Sequence, residues 1–521
     1  MQGDVPMVAI KTTGLVEKSA SSDGAKAKPI ETGSSKRTER SDSSVQMNEI
    51  SSEVRSAVEA SREEFYNWKK LSVTERIKYL SLVRHEIAKR VDEMVEVIVS
   101  DTGKVPTEAL INEVVVAIEL IRWYERNAAR ALHNEKVASG ILMAHKKGEI
   151  RYQPIGVVGV ISPWNYPLVL SMGPIMAALF AGNTVVLKPS EVTPNVGIFV
   201  GKIFEEVGIR EGRFENLVKV VTGDGKVGDQ LVRSGVDKIA FTGSVKTGQL
   251  VMKTAAESLT PVVLELGGKD PMVVLKDADI ERAAKGAVWG AFTNSGQTCM
   301  AVERVYVEKP IFNEFVDKVV ELTASLRQGS GAGNDLGAMT WVKQTNIVRR
   351  HLKDAIEKGA KVLIGGEDIE IGGRESISPA VLVNVDHTMD IMMEETFGPI
   401  LPVMAVEDAD EALKMANDSP YGLNSSIWTK DPKMKEKFTD GLQAGNVCVN
   451  DCMVSYAISA LPFGGVKYSG MGRTHGVEGL REMSQVKSVA EDRFGLKTEI
   501  QWMPLPGWLY KAGKALIKLR G

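Results

Sequence analysis

Cysteine is scarce in this chain: Cys299, Cys448 and Cys452 are the three thiols among 521 residues. So few, and an odd number, cannot form a disulfide framework; the count points to a reducing compartment and leaves room for one thiol kept for its reactivity. Cys299 has the local sequence for that role. It ends the Gly-, Ser- and Thr-rich turn NSGQTC and opens onto the strand-like MAVERVYV, a context that favours exposure, whereas a lone cysteine is usually a small buried hydrophobe. Cys448 alternates within NVCVN as a core residue does, and Cys452 lies just beyond it. Neither has a neighbouring histidine or second cysteine pair, so no metal site is expected. A free thiol with a pKa of ~8.5 is only a few per cent thiolate at neutral pH, so Cys299 needs a base or a positive environment. Glu265 ends the strand-like VVLEL, an odd place to bury an acid that has no task. Asn165, between Pro163 and Pro167, reads by itself as a turn residue.

Two glycine loops invite a phosphate. Gly223-Asp-Gly225-Lys-Val-Gly228 follows the strand-like LVKVV and matches G-x-G-x-x-G, the dinucleotide fingerprint. Among 49 glycines such a match is weak, and Asp224 would set a negative charge beside the phosphates. FTGSVKTG at 241–248 also turns from strand to helix, and its Ser244 hydroxyl and helix N-terminal amides could hold an anion. Gln249 and Leu250 stand where the P-loop needs Lys and Ser/Thr. Taken alone, either loop reads as a plain strand-to-helix turn more readily than as a phosphate site.

The elements around these residues read as α/β. Residues 155–307 alternate apolar β-branched runs (IGVVGVIS, NTVVLKP, NLVKVVT, DKIAFTGS, PVVLELGG, PMVVL) with helical stretches at 168–180, 194–207, 226–234, 246–257 and 279–293. Such alternation indicates a parallel sheet covered on both faces. Thr193 and Pro194 form an N-cap and first-turn pair. Before this region, from about Glu49 to Leu132, apolar residues recur at helical spacing. After Ser330, VLI, AVLVNV, ILPVMAV and AGNVCVN are further strand candidates. Composition is that of a globular protein, with 43% hydrophobic and 25% charged residues, which excludes collagen, coiled coil and wholesale disorder. A net charge of -3 supplies no field for nucleic acid. No run of about 18 uncharged apolar residues occurs, so no membrane span is expected.

Read together, seven segments carry more than either glycine loop: PWNYP at 163–167, LKPSEVTP at 187–194, FTGSVKTG at 241–248, ELGGKDP at 265–271, GQTC at 296–299, EETFGP at 394–399 and PFGGVKYSGMGR at 462–473. In this order and spacing they resemble the aldehyde dehydrogenase superfamily over residues 50–490. The resemblance implies two Rossmann-like parallel-sheet domains with a small β oligomerisation arm, and oxidation of an aldehyde to an acid through a cysteine thiohemiacetal and thioester. It makes Cys299 the nucleophile, Glu265 the base, and Asn165 with the Cys299 N–H the oxyanion donors. A catalytically silent binding or structural protein is the alternative, disfavoured by the intact Cys299, Glu265 and Asn165. An acyl-transferring relative is disfavoured by Glu265, which speaks for hydrolysis.

The resemblance also implies NAD, with NADP as the other choice. Lys188 and Glu191 fall on the adenosine ribose, Ser244 with Gly243 on the pyrophosphate, and Glu395 with Phe397 on the nicotinamide ribose and ring, with Trp164 beside the same cleft; Ile161, Ser162, Pro163, Ser190, Gly225, Phe241, Thr242, Gly248, Leu266 and Gly267 are further expected cofactor contacts. Glu191 favours NAD, because a carboxylate accepts from both ribose hydroxyls and repels a 2′-phosphate.

Two family residues are missing. A lysine in the helix after PWN and a glutamate after the late GR, both near a proton path in many relatives, are Pro174 and Thr474 here. The segment GRTHGVEGL, with His475 and Glu478, resembles the branch containing the second type of succinate-semialdehyde dehydrogenase. The tunnel would be shaped by Tyr166, Tyr456, Ala457 and Phe463, yet MVSYAISALPF at 453–463 carries no Lys or Arg. A dicarboxylic semialdehyde wants a cation or hydroxyls there, so an aliphatic or aromatic aldehyde and succinate semialdehyde stand level.

The expected domains are a flexible arm at 1–45, rich in serine and charge; a dinucleotide-binding domain from 46–137 and 155–265 with a late return near 462–482; a catalytic domain at 266–461; an oligomerisation arm from 138–154 and 483–495, pairing chains into a homodimer or homotetramer; and a tail at 496–521. In that tail Trp508, Ala512, Leu516 and Leu519 share a helical face, with Lys511, Lys514, Lys518 and Arg520 unopposed by any acid. Such a helix suits a membrane surface; docking on the same protein is the simpler reading. The expected address is the cytoplasm.

Overall fold

The apolar runs that alternate with helices build two open sheets. In the computed structural model, which describes residues 50–521, the expected arm at 1–45 lies outside the described residues. The first sheet has six strands, in the order Gly470–Met471, Val262–Glu265, Lys238–Thr242, Val157–Ile161, Thr184–Lys188 and Val218–Val220. Five run parallel; Gly470–Met471 pairs antiparallel with Val262–Glu265, setting Gly470 against Glu265. In chain order the five parallel strands run outward in both directions from Val157–Ile161, so the carboxyl ends of Val157–Ile161 and Lys238–Thr242 flank a topological switch point, the place where such sheets bind ligands.

The second sheet has seven strands, in the order Lys361–Ile364, Ala380–Val383, Ile400–Val406, Val302–Glu308, Asp270–Val274, Ser426–Trp428 and Cys448–Val449. All are parallel except Lys361–Ile364. Helices cover both sheets, and the strands Val157–Ile161, Thr184–Lys188 and Asp270–Val274 are buried throughout, which is why they read as unbroken apolar runs. A third, antiparallel sheet joins Glu135–Val137, Lys146–Pro154 and Ser484–Asp492. Glu135–Val137 thus belongs with this small sheet instead of the preceding helices.

Helix ends follow capping chemistry. Ser72 and Glu75 close a capping box at the start of Val73–Lys89. At Pro194–Glu211 the expected cap differs: Thr193 occupies the N-cap but makes no side-chain cap bond. The Val196 N–H donates instead to Asp101 Oδ2 at 3.0 Å, so a carboxylate from another helix satisfies the orphan donor. The tail differs too. Its helix spans Leu509–Arg520, and the half-buried residues are Leu509, Gly513 and Leu516, while Trp508, Ala512 and Leu519 face outward. Spacings of four and three residues put Leu509, Gly513 and Leu516 on one face, which shares only Leu516 with the expected set.

Candidate active site

A cavity of about 920 Å³ opens at the switch point of the six-stranded sheet and reaches the second sheet. Its floor is built from strand ends: Ile161 to Asn165 follow one central strand, Phe241 to Ser244 the next, and Glu265 to Gly267 a third. Lys188, Ser190, Glu191 and Gly225 line one end; Cys299, Glu395 and Phe397 line the other. Trp341, Gln344 and Ile347 also line it, and the sequence reading had no signal for them. Gly248 does not line it. A Cβ there would sit 2.5 Å from Leu266 Cδ2, so this glycine serves close packing of the helix Val245–Ala256 on the sheet.

The loop that carries Cys299 is strained and heavily tied down. Asn294 and Ser295 adopt φ of 52° and 54°, a left-handed backbone that ordinary residues avoid. Glu108 Oε1 accepts from the Asn294 N–H at 2.6 Å, Ser295 Oγ donates to the Gly337 carbonyl at 2.8 Å, and Gln297 Oε1 accepts from the Thr340 N–H at 2.8 Å. Asn165 is bound into the same loop: its Nδ2 donates to the Gln297 carbonyl at 3.0 Å, and its own carbonyl accepts from Asn294 Nδ2 at 3.0 Å. That carbonyl also accepts from the buried Lys104 Nζ, which Glu113 holds. Lys104, Glu108 and Glu113 were missed in the sequence; the one signal was an acid inside the apolar run ALINEVVVAI.

On the opposite wall, Glu303 accepts from Lys269 Nζ and from the Thr396 and Phe397 N–H groups, fixing the turn that presents Glu395 and Phe397. Phe397 packs edge-on to Trp164 at a centroid distance of 5.3 Å. A Cβ on Gly267 would lie 2.3 Å from Glu395 Oε2, so glycine there lets the carboxylate fold against the backbone.

Burial dominates the electrostatics. It pushes Glu265 up to about 7 and Glu395 to about 8, with the Glu303 charge adding to the second. Burial, then Glu265, Asp270 and Glu395, drive the Cys299 thiol well above its ordinary value. The resting thiol is therefore protonated at neutral pH, and a base must act on it.

The tunnel candidates are dispersed. Tyr166 is buried, its hydroxyl 2.9 Å from Thr298 Oγ1, next to Cys299 in the chain. Tyr456 packs edge-on to Phe463 with centroids 4.9 Å apart and lines a separate small cavity behind Glu265. Ala457 faces outward, and Phe463 lines neither cavity; the turn after Cys452 points one aromatic inward and swings Ala457 away.

A sequence model of the Aldehyde dehydrogenase family matches residues 36–489. The chain belongs to the aldehyde dehydrogenase family. This aldehyde dehydrogenase is 43% identical to the 4,4'-diapolycopene aldehyde oxidase of a Methylomonas species over 86% of this chain and 84% of that one. A Mycolicibacterium smegmatis protein provisionally named succinate-semialdehyde dehydrogenase [NADP(+)] is 36% identical, over 82% of each chain. Among solved structures, the betaine aldehyde dehydrogenase of Staphylococcus aureus in complex with NAD+ matches with a TM-score of 0.81 and 29% identity, over 87% of this chain and 90% of that one. The family has the α/β fold seen here and oxidises aldehydes to acids with NAD or NADP. The cavity suits that cofactor: an ammonium and a carboxylate at one end, the hydroxyl and amides of a helix start at the middle, and an aromatic pair beside the thiol at the other.

Proposed function

We propose that Cys299 is the nucleophile, Glu265 the base, and the Asn165 amide with the Cys299 N–H the oxyanion donors, acting on an aldehyde carried by an apolar chain. What carries the assignment is the meeting of Cys299, Glu265 and Asn165 at one end of a single cavity. Glu265 takes the thiol proton as sulfur adds to the carbonyl carbon, and the new oxyanion receives the two N–H donors. Glu395 and Phe397, beside Cys299, would hold the nicotinamide, which when bound would supply the hydride acceptor. Glu265 passes the thiol proton to solvent, then removes a proton from the water that hydrolyses the thioester and returns it to the leaving sulfur, releasing the acid and restoring the thiol. Lys188 and Glu191, paired at 3.1 Å, are assigned to the adenosine ribose, and Glu191 favours NAD.

The apolar substrate is supported by three observations. The 453–463 loop has no cation, and Ser455 Oγ is engaged with Asn424 Oδ1 at 3.5 Å. The 43% identical relative is named for an aldehyde of 4,4'-diapolycopene, a long polyene. The tail exposes Trp502, Met503, Leu505, Trp508, Ile517 and Leu519 beside Lys511, Lys514, Lys518 and Arg520, a surface suited to an anionic bilayer. No helix among the described residues is long and apolar enough to cross a membrane. The reading is therefore a cytoplasmic enzyme resting on the membrane face, its three cysteines free, with chains paired through the three-stranded sheet as a homodimer or homotetramer. Succinate semialdehyde is the second reading, supported by the name of the Mycolicibacterium relative.

Turnover of an aldehyde panel with both cofactors tests this. Long-chain aldehydes are expected to give kcat/KM at least tenfold above that of succinate semialdehyde, a difference of about 1.4 kcal/mol in transition-state binding; the reverse order overturns the apolar reading.

A further inference from the structure

Behind Glu265, on the side away from Cys299, lies a second cavity of about 10 Å³, lined by Gly173, Pro174, Tyr456, Thr474 and His475 together with Glu265 itself. That is about one water-sized probe sphere, and a buried water needs two to four polar partners. The lining supplies them. Glu265 Oε1 is buried without a hydrogen-bond partner, and so are both ring nitrogens of His475, a residue 1% exposed. A Cβ placed on Gly173 would lie 3.7 Å from His475 Nε2 and 3.8 Å from Tyr456 Oη, so both groups face the same small space. Pro174 offers no N–H, and Thr474 Oγ1 is directed to the Phe463 carbonyl at 3.3 Å. The His475 ring is fixed by Tyr456, whose ring centroid lies 4.4 Å away. Orphaned buried polar atoms are rare in native proteins, and here several converge on one space of the right size.

We propose that this cavity holds one water, donating to Glu265 Oε1 and to His475 Nε2 and accepting from Tyr456 Oη–H, and that it holds Glu265 in its reactive, ionisable state. Three bonds then satisfy the water and the carboxylate atom facing it. His475 is a positioning residue acting through the water. Burial holds its imidazole low, at about 4, with the Tyr456 backbone pulling the other way, so at working pH it is neutral and presents an acceptor. The titratable groups facing the cavity are Glu265, Tyr456 and His475, with Cys299, Tyr124 and Glu113 acting on Tyr456 from beyond it. A water donating to the carboxylate favours its charged form, opposing the burial that pushes Glu265 up. The inference rests on Glu265 being the base.

Three variants separate the outcomes. His475→Leu removes a partner of the water. Gly173→Ala fills the space with a methyl group at ordinary contact distances, in a helix where alanine is well tolerated, and so displaces the water while leaving every polar side chain in place. His475→Gln keeps a side chain able to accept from the water. For the first two we expect the ascending limb of the kcat/KM pH profile to move up by about one unit, so that kcat falls about tenfold well below the limb and about fivefold at pH 7, with KM unchanged. His475→Gln should stay within about threefold of the parent. Unchanged pH profiles in both His475→Leu and Gly173→Ala overturn the proposal. If Glu265→Gln itself leaves kcat unchanged, the assignment of the base has failed instead.

Discussion

Lys104, 1% exposed, donates from Nζ to the main-chain carbonyl of Asn165 at 2.8 Å while Glu113 grips the same ammonium at 2.6 Å. A buried ion pair thus fixes the backbone from which the Asn165 amide is aimed, and Glu113 also accepts from the Leu168 N–H at 2.8 Å, two residues past Tyr166. Lys104→Met leaves the Glu113 carboxylate unpaired, and urea unfolding should show a loss of about 3–5 kcal/mol. The double change Lys104→Met with Glu113→Leu should regain much of that stability. Its kcat should remain at least tenfold down, because the Asn165 carbonyl has lost its anchor. A double variant with parental kcat would show that the pair serves stability alone.

With Glu265 raised to about 7 by burial, catalysis should rise with pH. The carboxyl is protonated and inert as a base well below 7 and ionised above it, so log kcat/KM climbs to a plateau past that value. Glu265→Gln should remove the limb and lower kcat by about 10²–10⁴. Stability runs the other way. A folded value above the unfolded one means the native state binds more protons between about 4.5 and 7, so this group's cost is absent below 4.5 and complete above 7. Glu265→Gln should therefore be more stable than the parent at pH 8, by roughly 3 kcal/mol, and equal to it near pH 4.5. Melting curves at the two pH values check the sign.

Much of this was legible in the residues. Buried parallel strands show as unbroken apolar runs, and the residues proposed for chemistry sit at strand ends within short, distinctive segments. What stayed hidden depends on contacts distant in sequence. Lys104 meets Asn165 across 61 residues and Glu113 meets Leu168 across 55, and neither DTGKVP nor ALINEVV names the partner. The hairpin Asp368–Ile371 with Arg374–Ile377 was also missed, although Gly372 and Gly373, at φ of 57° and 78°, form the glycine pair that two-residue hairpins favour. A glycine in a phosphate-like loop and a glycine under a helix, as Gly248 is against Leu266, look the same in sequence.

Cofactor choice should turn on one exposed carboxylate. Glu191 is 52% exposed at its side chain and pairs with the buried Lys188. Glu191→Ser removes the charge that repels a 2′-phosphate and frees Lys188 to meet it. The ratio of kcat/KM for NADP over NAD should rise by at least tenfold; an unchanged ratio removes Glu191 from the ribose site.

The tail should carry membrane affinity. Trp508, Tyr510, Ile517 and Leu519 are each more than half exposed, with cations among them and no acid after Glu499. The full chain should co-sediment with phosphatidylserine-containing vesicles at low salt, and a chain ending at Gly495 should not. Equal binding by both leaves the tail to pack against another protein copy.

The central claim is that the substrate passes through a covalent bond to Cys299. Acid quenching of a single turnover with NAD and an aldehyde, followed by peptide mass spectrometry, reads it directly. An acyl thioester is expected on the Cys299 peptide, forming with the first equivalent of NADH, and no NADH is expected from Cys299→Ala. NADH production by Cys299→Ala, or an acyl group on Cys448, Cys452 or no cysteine at all, would contradict it.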